Sequence, residues 1–293
     1  MDIELSIVII SWKMKNLLQI CLESIYKFTK EPSFELILID NFSNDGTIEM
    51  VEKYFPQIKL IKNNENKGVA PARNQGLKEA KGKFILILDA DMELIENSII
   101  KLYNYMLEHP ECGMVGARLV DSKKNLQYSC KRFPSFLALI LRRLDILSFT
   151  KESKTLSYHL MKEWDHNSIK EVDYLIGACQ FFRKEVIGQV GYYDDKIFYG
   201  PEDIDYCLRI WKEGWKVVYY PQTKIIHHEQ RITKKKLISK ITFKHLIGIF
   251  YLFVKYKGKI KGKVAFRTIY STFGGLFNYE VDLNSEDSEV SCT

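Results

Sequence analysis

Two aspartates, Asp89 and Asp91, stand one residue apart at the end of a continuous apolar run from Phe84 to Leu88. A run of that length reads as one strand buried on both faces. Two carboxylates at its end cannot enter a core without partners. In an open α/β sheet the carboxyl ends of the strands border the ligand crevice. Hard oxygen donors at that place suit Mg²⁺ or Mn²⁺, which commonly bridges a carboxylate and a substrate diphosphate. The rival reading is that Asp91 caps a helix beginning at Met92-Glu93-Leu94.

Other acids and bases stand at comparable places. Asp40 closes a second apolar run, Phe34 to Ile39. Its carboxylate could accept hydrogen bonds from a base or ribose, or simply form the turn through Asn41 to Gly46. Arg73, between Ala72 and Asn74, could offer a guanidinium fork to a diphosphate, or be a solvated helix cation. Gly177 and Ala178 interrupt the apolar stretch Asp173–Phe182, where small residues let the backbone approach a ligand closely. Glu202 and Asp203 follow Pro201, a residue suited to a first helical turn. Ile204, Cys207, Leu208 and Trp211 continue that helix to about Lys212, and Gly214 stops it. The two acids then either face the crevice or only complement the helix dipole. His227 and His228 close the last apolar strand, Lys216 to Ile226.

The elements that must hold these residues alternate. Strands are expected at Leu5–Ile10, Phe34–Ile39, Ile58–Ile61 and Lys83–Asp89, with helices at about 14–29, up to Phe55, and at Val69–Glu79. A further helix at Glu96–Leu107 precedes a strand at Met114–Val120. Such alternation means βαβ units and a mostly parallel sheet. Asp40, Asp89 and Asp91 then lie on one edge and line one crevice. Phe136 to Phe149 reads as a core helix or an interfacial element, and Lys151 to Lys170 as a loop or short helix.

Composition narrows the class. The chain has 293 residues, 46% apolar and 27% charged, ordinary for a globular protein with a full core. The net charge of +6 is unevenly spread, with twelve Lys or Arg and no acid between Gln230 and Tyr279. The six cysteines show no CxxC or Cys/His zinc spacing, and a reducing compartment is expected. The N-terminus lacks signal-peptide character, and the apolar segment Leu246–Val254 is too short to span a bilayer. No GxGxxG follows the first strand and no P-loop occurs, which excludes the common dinucleotide and ATPase motifs.

The ordered set of motifs resembles the family 2 glycosyltransferases of GT-A fold, most closely the rhamnosyltransferase-like enzymes of polysaccharide assembly. It runs through Ile39-Asp40-Asn41, Asn66 to Gly76 with Arg73, Leu88-Asp89-Ala90-Asp91, Val190 to Asp195, Glu202 to Arg209, and Ile226-His227. The resemblance covers about residues 4–257. It implies a three-layer α/β/α domain over residues 1–230 with a mostly parallel sheet. It implies an inverting, metal-dependent transfer of a sugar from a nucleoside-diphosphate donor to a glycan or lipid-linked acceptor. Asp40 matches the acid on the nucleobase, Asp89 and Asp91 the DxD pair, with Asp91 on Mn²⁺ or Mg²⁺ and Asp89 nearer the ribose. Arg73 matches an arginine beside the donor phosphates, His227 the late histidine of the metal or diphosphate site. Asp203 matches the catalytic base, with Glu202 its rival. Lys13 and Gln230 depart from the pattern, where Asn and Gly are more frequent.

A basic amphipathic helical extension is expected over 231–279, and an acidic disordered tail over 280–293. An apolar face from Leu237 to Val254 ringed by lysines suits either an anionic membrane surface, peripheral on the cytoplasmic side, or packing against the domain with snorkelling lysines. Nucleic acid is not an expected partner, because the aromatics are not interleaved for stacking. A catalytically silent nucleotide-sugar-binding protein and a nucleotidyltransferase are the alternatives, the second lacking its usual glycine-rich loop after the first strand.

Overall fold

The computed structural model describes residues 2–135, 138, 153–230 and 240–256. The expectations for Phe136–Phe149, apart from Ala138, for 231–239 and for 257–293 lie outside the described residues.

The chain opens with β1 (Leu5–Ser11), α1 (Lys15–Phe28), β2 (Phe34–Asp40), α2 (Thr47–Tyr54), β3 (Lys59–Lys62), α3 (Val69–Glu79) and β4 (Phe84–Asp89). It continues with β5 (Met92–Leu94), α4 (Ser98–Glu108), β6 (Cys112–Val120), β7 (Leu126–Gln127) and β8 (Cys130–Lys131). Then follow α5 (Lys154–His159), β9 (Lys170–Glu171), β10 (Tyr174–Leu175), β11 (Cys179–Arg183), α6 (Lys184–Val190), α7 (Glu202–Lys212), β12 (Lys216–His227) and α8 (Lys240–Tyr256). Met92 thus begins a strand and not a helix, so Asp91 caps nothing there; the next helix starts at Ser98.

The main sheet runs β3-β2-β1-β4-β11-β6-β12-β5. The first four strands are mutually parallel, β12 is parallel to β6, and β11 is antiparallel to both its neighbours. The chain moves outward from β1 through β2 to β3, then returns to place β4 on the other side of β1. That reversal is a topological switch point, where a crevice opens at the carboxyl ends. The register sets Ser11 against Asp40 and Ile10 against Asp89, so both acids reach the same edge.

Period-two alternation explains the layers. Leu5, Ile7 and Ile9 of β1 and Phe84, Leu86 and Leu88 of β4 enter one core, packed by α1 and α4. Val8, Ile85 and Ile87 enter the other, against α3 and α7. Helices thus cover both faces, as continuous apolar strands require. Gly76 lets α3 lie flush on the sheet, since a Cβ there would meet Val8 Cγ1 at 2.3 Å. The five described cysteines are all buried and unpaired, consistent with small core hydrophobes.

Helix α8 packs on the domain by one face. Ile249 and Leu252 are buried, Tyr251 donates to Asp194 at 2.9 Å, and Lys255 meets Asp194 and Asp205 at 2.7 and 2.6 Å. Its opposite face, Phe243, Ile247, Phe250 and Val254, stays exposed. Among the described residues no helix is long and apolar enough to cross a membrane.

Candidate active site

Asp40 is carried to the sheet edge by β2 and is fully buried. One carboxylate oxygen accepts from the Ser43 N–H at 2.9 Å, while Oδ1 is buried with no hydrogen-bond partner among the described residues. Such an orphan acceptor is costly unless something donates to it. Next to it Asn41, which sequence reading passed over as a turn residue, ties down the following loop. Its amide nitrogen donates to Asn66 Oδ1 and to the Gly68 carbonyl, each at 3.1 Å.

Asp89 and Asp91 leave the end of β4 beside Arg73, which lines the crevice but is buried and already paired. Buried on α3, it donates to Glu202 Oε1 at 2.9 Å, to the Gly177 carbonyl at 2.9 Å and to Asp89 Oδ1 at 3.3 Å. It joins the end of β4, the turn between β10 and β11, and the N-terminus of α7. The small residue at 177 is required by this arginine: a Cβ there would lie 2.5 Å from both terminal nitrogens.

The two candidate bases sit differently. Glu202 is buried in its pair with Arg73. Burial pushes its carboxyl up to about 7; Arg73 pulls the other way, and Asp203 adds to the rise. Asp203 is half-buried, accepts from the Gly177 N–H at 3.3 Å, and lines the crevice. The raised value gives a stability prediction. Between an unfolded value near 4.5 and a folded one near 7, the folded protein binds the extra proton, so stability falls as pH rises through that window. Glu202→Gln keeps an oxygen for Arg73 and cannot ionise. Urea midpoints in EDTA should therefore match wild type near pH 4.5, and the variant should gain by up to about 3 kcal/mol towards pH 7. Parallel curves for the two proteins would contradict the shift.

His227 reaches the site because β12 pairs antiparallel with β5, placing it opposite Met92. The His228 N–H donates to the Asp91 carbonyl at 2.8 Å and locks this edge. The His227 Nε2 lies 3.6 Å from Asp91 Oδ1, beyond a good hydrogen bond. Gln127 holds the other ring nitrogen at 2.8 Å. Asp89, Asp91 and His227 each bring one donor atom, all within 4.8 Å of one another.

These residues, with Asp203, Glu202 and Arg73, border one crevice of about 340 Å³; Asp40, fully buried, is not in its lining, whereas its chain neighbour Asn41 is. Helix α8 contributes His245 and Ile249 to the same lining. Arg73 pairs with two of the four carboxylates, Glu202 and Asp89, and burial first, then Asp89, raises the Asp91 carboxyl above its usual range, against the pull of His227. Two carboxylate oxygens, one imidazole nitrogen and excess negative charge fit a divalent cation.

The mostly parallel sheet covered by helices, with acids and a late histidine at its carboxyl edge, has the GT-A architecture of the solved glycosyltransferases it is similar to. The chain belongs to glycosyl transferase family 2, whose family model matches residues 6–191. It is 25% identical over 248 residues to N-acetylglucosaminyl-diphospho-decaprenol L-rhamnosyltransferase of Mycobacterium tuberculosis, covering 81% of this chain and 80% of that protein. Among solved structures it is similar to mannosyltransferase PcManGT from Pyrobaculum calidifontis in complex with GDP-Man and Mn²⁺. That match has TM-score 0.62 and 19% identity and covers 93% of this chain and 69% of the other. It is also similar to GalNAc-T7 with UDP, GalNAc and Mn²⁺, at TM-score 0.57 and 19% identity, covering 77% and 44%. Family membership sets aside the nucleotidyltransferase reading.

Proposed function

We propose that the protein transfers a sugar from a nucleoside-diphosphate donor to a hydroxyl of a lipid-linked saccharide or glycan, with inversion, during cell-surface polysaccharide synthesis. The observation that carries this is the meeting of the Asp89, Asp91 and His227 donors with the half-buried Asp203 in one crevice. Asp203 takes the acceptor proton as the acceptor oxygen bonds to the anomeric carbon, while the bond to the diphosphate breaks on the opposite face. Asp203 is preferred over Glu202 because Glu202 is buried against Arg73. Arg73 positions Glu202, Asp89 and the Gly177 backbone. Asp40, with its unsatisfied oxygen, suits a donor N–H or hydroxyl of the nucleoside. Asp91 and His227 would hold Mn²⁺ or Mg²⁺, with Asp89 beside them; when bound, the ion neutralises charge on the departing diphosphate.

A panel of nucleotide sugars with Mn²⁺ or Mg²⁺, scored by thermal shift and then donor hydrolysis, tests the reading. One donor at about 100 times its Kd should stabilise by about 2.7 kcal/mol, or roughly 5–10 °C, only with the ion present. Stabilisation without any hydrolysis or transfer would favour the silent binding protein instead.

The acceptor is proposed to be lipid-borne and met by peripheral contact at the cytoplasmic membrane face. Supporting this, α8 lines the crevice with one face and exposes Phe243, Ile247, Phe250 and Val254 on the other, within an acid-free, lysine-rich region. The protein should float with anionic vesicles and not with neutral ones. Phe243→Ser with Phe250→Ser should abolish flotation while donor hydrolysis persists. Wild-type protein that stays unbound to anionic vesicles would refute the contact.

A further inference from the structure

Gln127 makes both of its amide contacts with a single residue. Its Nε2 donates to the His227 backbone carbonyl at 2.9 Å, and its Oε1 faces His227 Nδ1 at 2.8 Å. The orientation of this amide follows from chemistry. A carbonyl oxygen only accepts, so the nitrogen end must face it, and the other end is then an acceptor. The ring nitrogen opposite that acceptor must carry a hydrogen. In a neutral imidazole only one nitrogen does, so Nε2 keeps its lone pair. Nε2 is the nitrogen on the Asp91 side, at 3.6 Å from Oδ1. Without Gln127, two features would favour the opposite tautomer: Nδ1 would lose its acceptor, and Nε2–H could turn towards the Asp91 carboxylate.

We propose that Gln127 is a positioning residue that sets the His227 tautomer and ring direction, so that Nε2 is presented to the crevice as a cation ligand before any cation arrives. The inference rests on the cation site proposed above. It adds a residue from a two-stranded turn: β7 is tied to β6 by the Leu119–Gln127 and Val120–Leu126 pairing, and this fixes where the amide stands. The backbone half of the clamp matters as much as the ring half, because anchoring on the His227 carbonyl stops the amide from turning over. Partners of this kind on ligating histidines typically carry 10–100-fold in metal affinity.

Long-range ¹H–¹⁵N NMR of the histidine side chains in metal-free protein, above the imidazole titration, reads the tautomer directly. His227 is assigned by the signal lost in His227→Asn. Wild type should show Nδ1–H and an unprotonated Nε2. Gln127→Leu should shift the ring towards Nε2–H and weaken Mn²⁺ binding, by calorimetry, about 10–100-fold. Gln127→Glu retains an acceptor for Nδ1–H while giving up the donor to the His227 carbonyl, and should keep the wild-type tautomer; should the leucine variant fail to fold, an Nε2–H ring in Gln127→Glu overturns the proposal instead. An Nε2–H tautomer in wild type, or Gln127→Leu binding Mn²⁺ as wild type does, overturns the proposal. A wild-type protein with the Nδ1–H tautomer that binds no Mn²⁺ overturns the cation site itself, and the proposed role with it.

Discussion

Asp203→Asn should lower kcat for sugar transfer by about 10²–10⁴-fold while leaving donor and Mn²⁺ affinity near wild type. The carboxamide has nearly the same shape but a single acceptor oxygen, so it keeps either the Ile204 N–H, 2.8 Å from Oδ1 in the native site, or the Gly177 N–H, 3.3 Å from Oδ2. It cannot take a proton from an acceptor hydroxyl. The loss therefore falls on the chemical step, and KM for the donor stays unchanged. Glu202→Ala, by contrast, should disturb binding and stability together, because it leaves the buried guanidinium without the oxygen that Glu202, or a glutamine there, supplies. Near-normal kcat in Asp203→Asn with the true acceptor would remove Asp203 from the role of base.

Asp91→Ala should lose Mn²⁺ binding and donor binding together, by more than the roughly 100-fold that an outer partner of a ligand carries. The aspartate contributes one of the three donors gathered at the β4 edge. Its own carboxylate is disfavoured there by burial and by Asp89. In EDTA the substitution should therefore cost little stability, for it relieves a crowded negative charge. Equal stability without the ion, with loss of the ion-dependent gain, is a pattern that a purely structural aspartate would not give. Unchanged calorimetric titrations of Mn²⁺ and donor would contradict the role.

Much of this arrangement can be read from local pattern. The runs Leu5–Ile10, Phe34–Ile39 and Phe84–Leu88 are buried strands because they are continuously apolar, and the acids that end them must lie at a sheet edge. Helix α7 was visible in its apolar spacing and its Pro201 start. What local pattern does not contain is pairing between distant atoms. Arg73 was expected to face phosphates, yet its partner Glu202 lies 129 residues away and takes up half of the guanidinium fork. Gly177 lines the crevice, and the side chain it lacks also leaves room for that same arginine. Gln127 carries no periodic or charge signal in its two-residue strand; only the return of β12 makes it a neighbour of His227. For α8, an anionic membrane surface and packing on the domain are the rival readings; the helix packs on the domain by one face and leaves apolar residues exposed on the other.

The most direct measurement is an anomalous-difference map from crystals of the protein soaked with Mn²⁺ and the nucleoside diphosphate of the donor selected by the panel. The account predicts one strong peak touching Asp91 and His227 Nε2, with the diphosphate beside it and the nucleoside extending towards Asp40. A peak elsewhere on the molecule, or a nucleotide bound away from the β4 edge with Asp91 and His227 untouched, would contradict it.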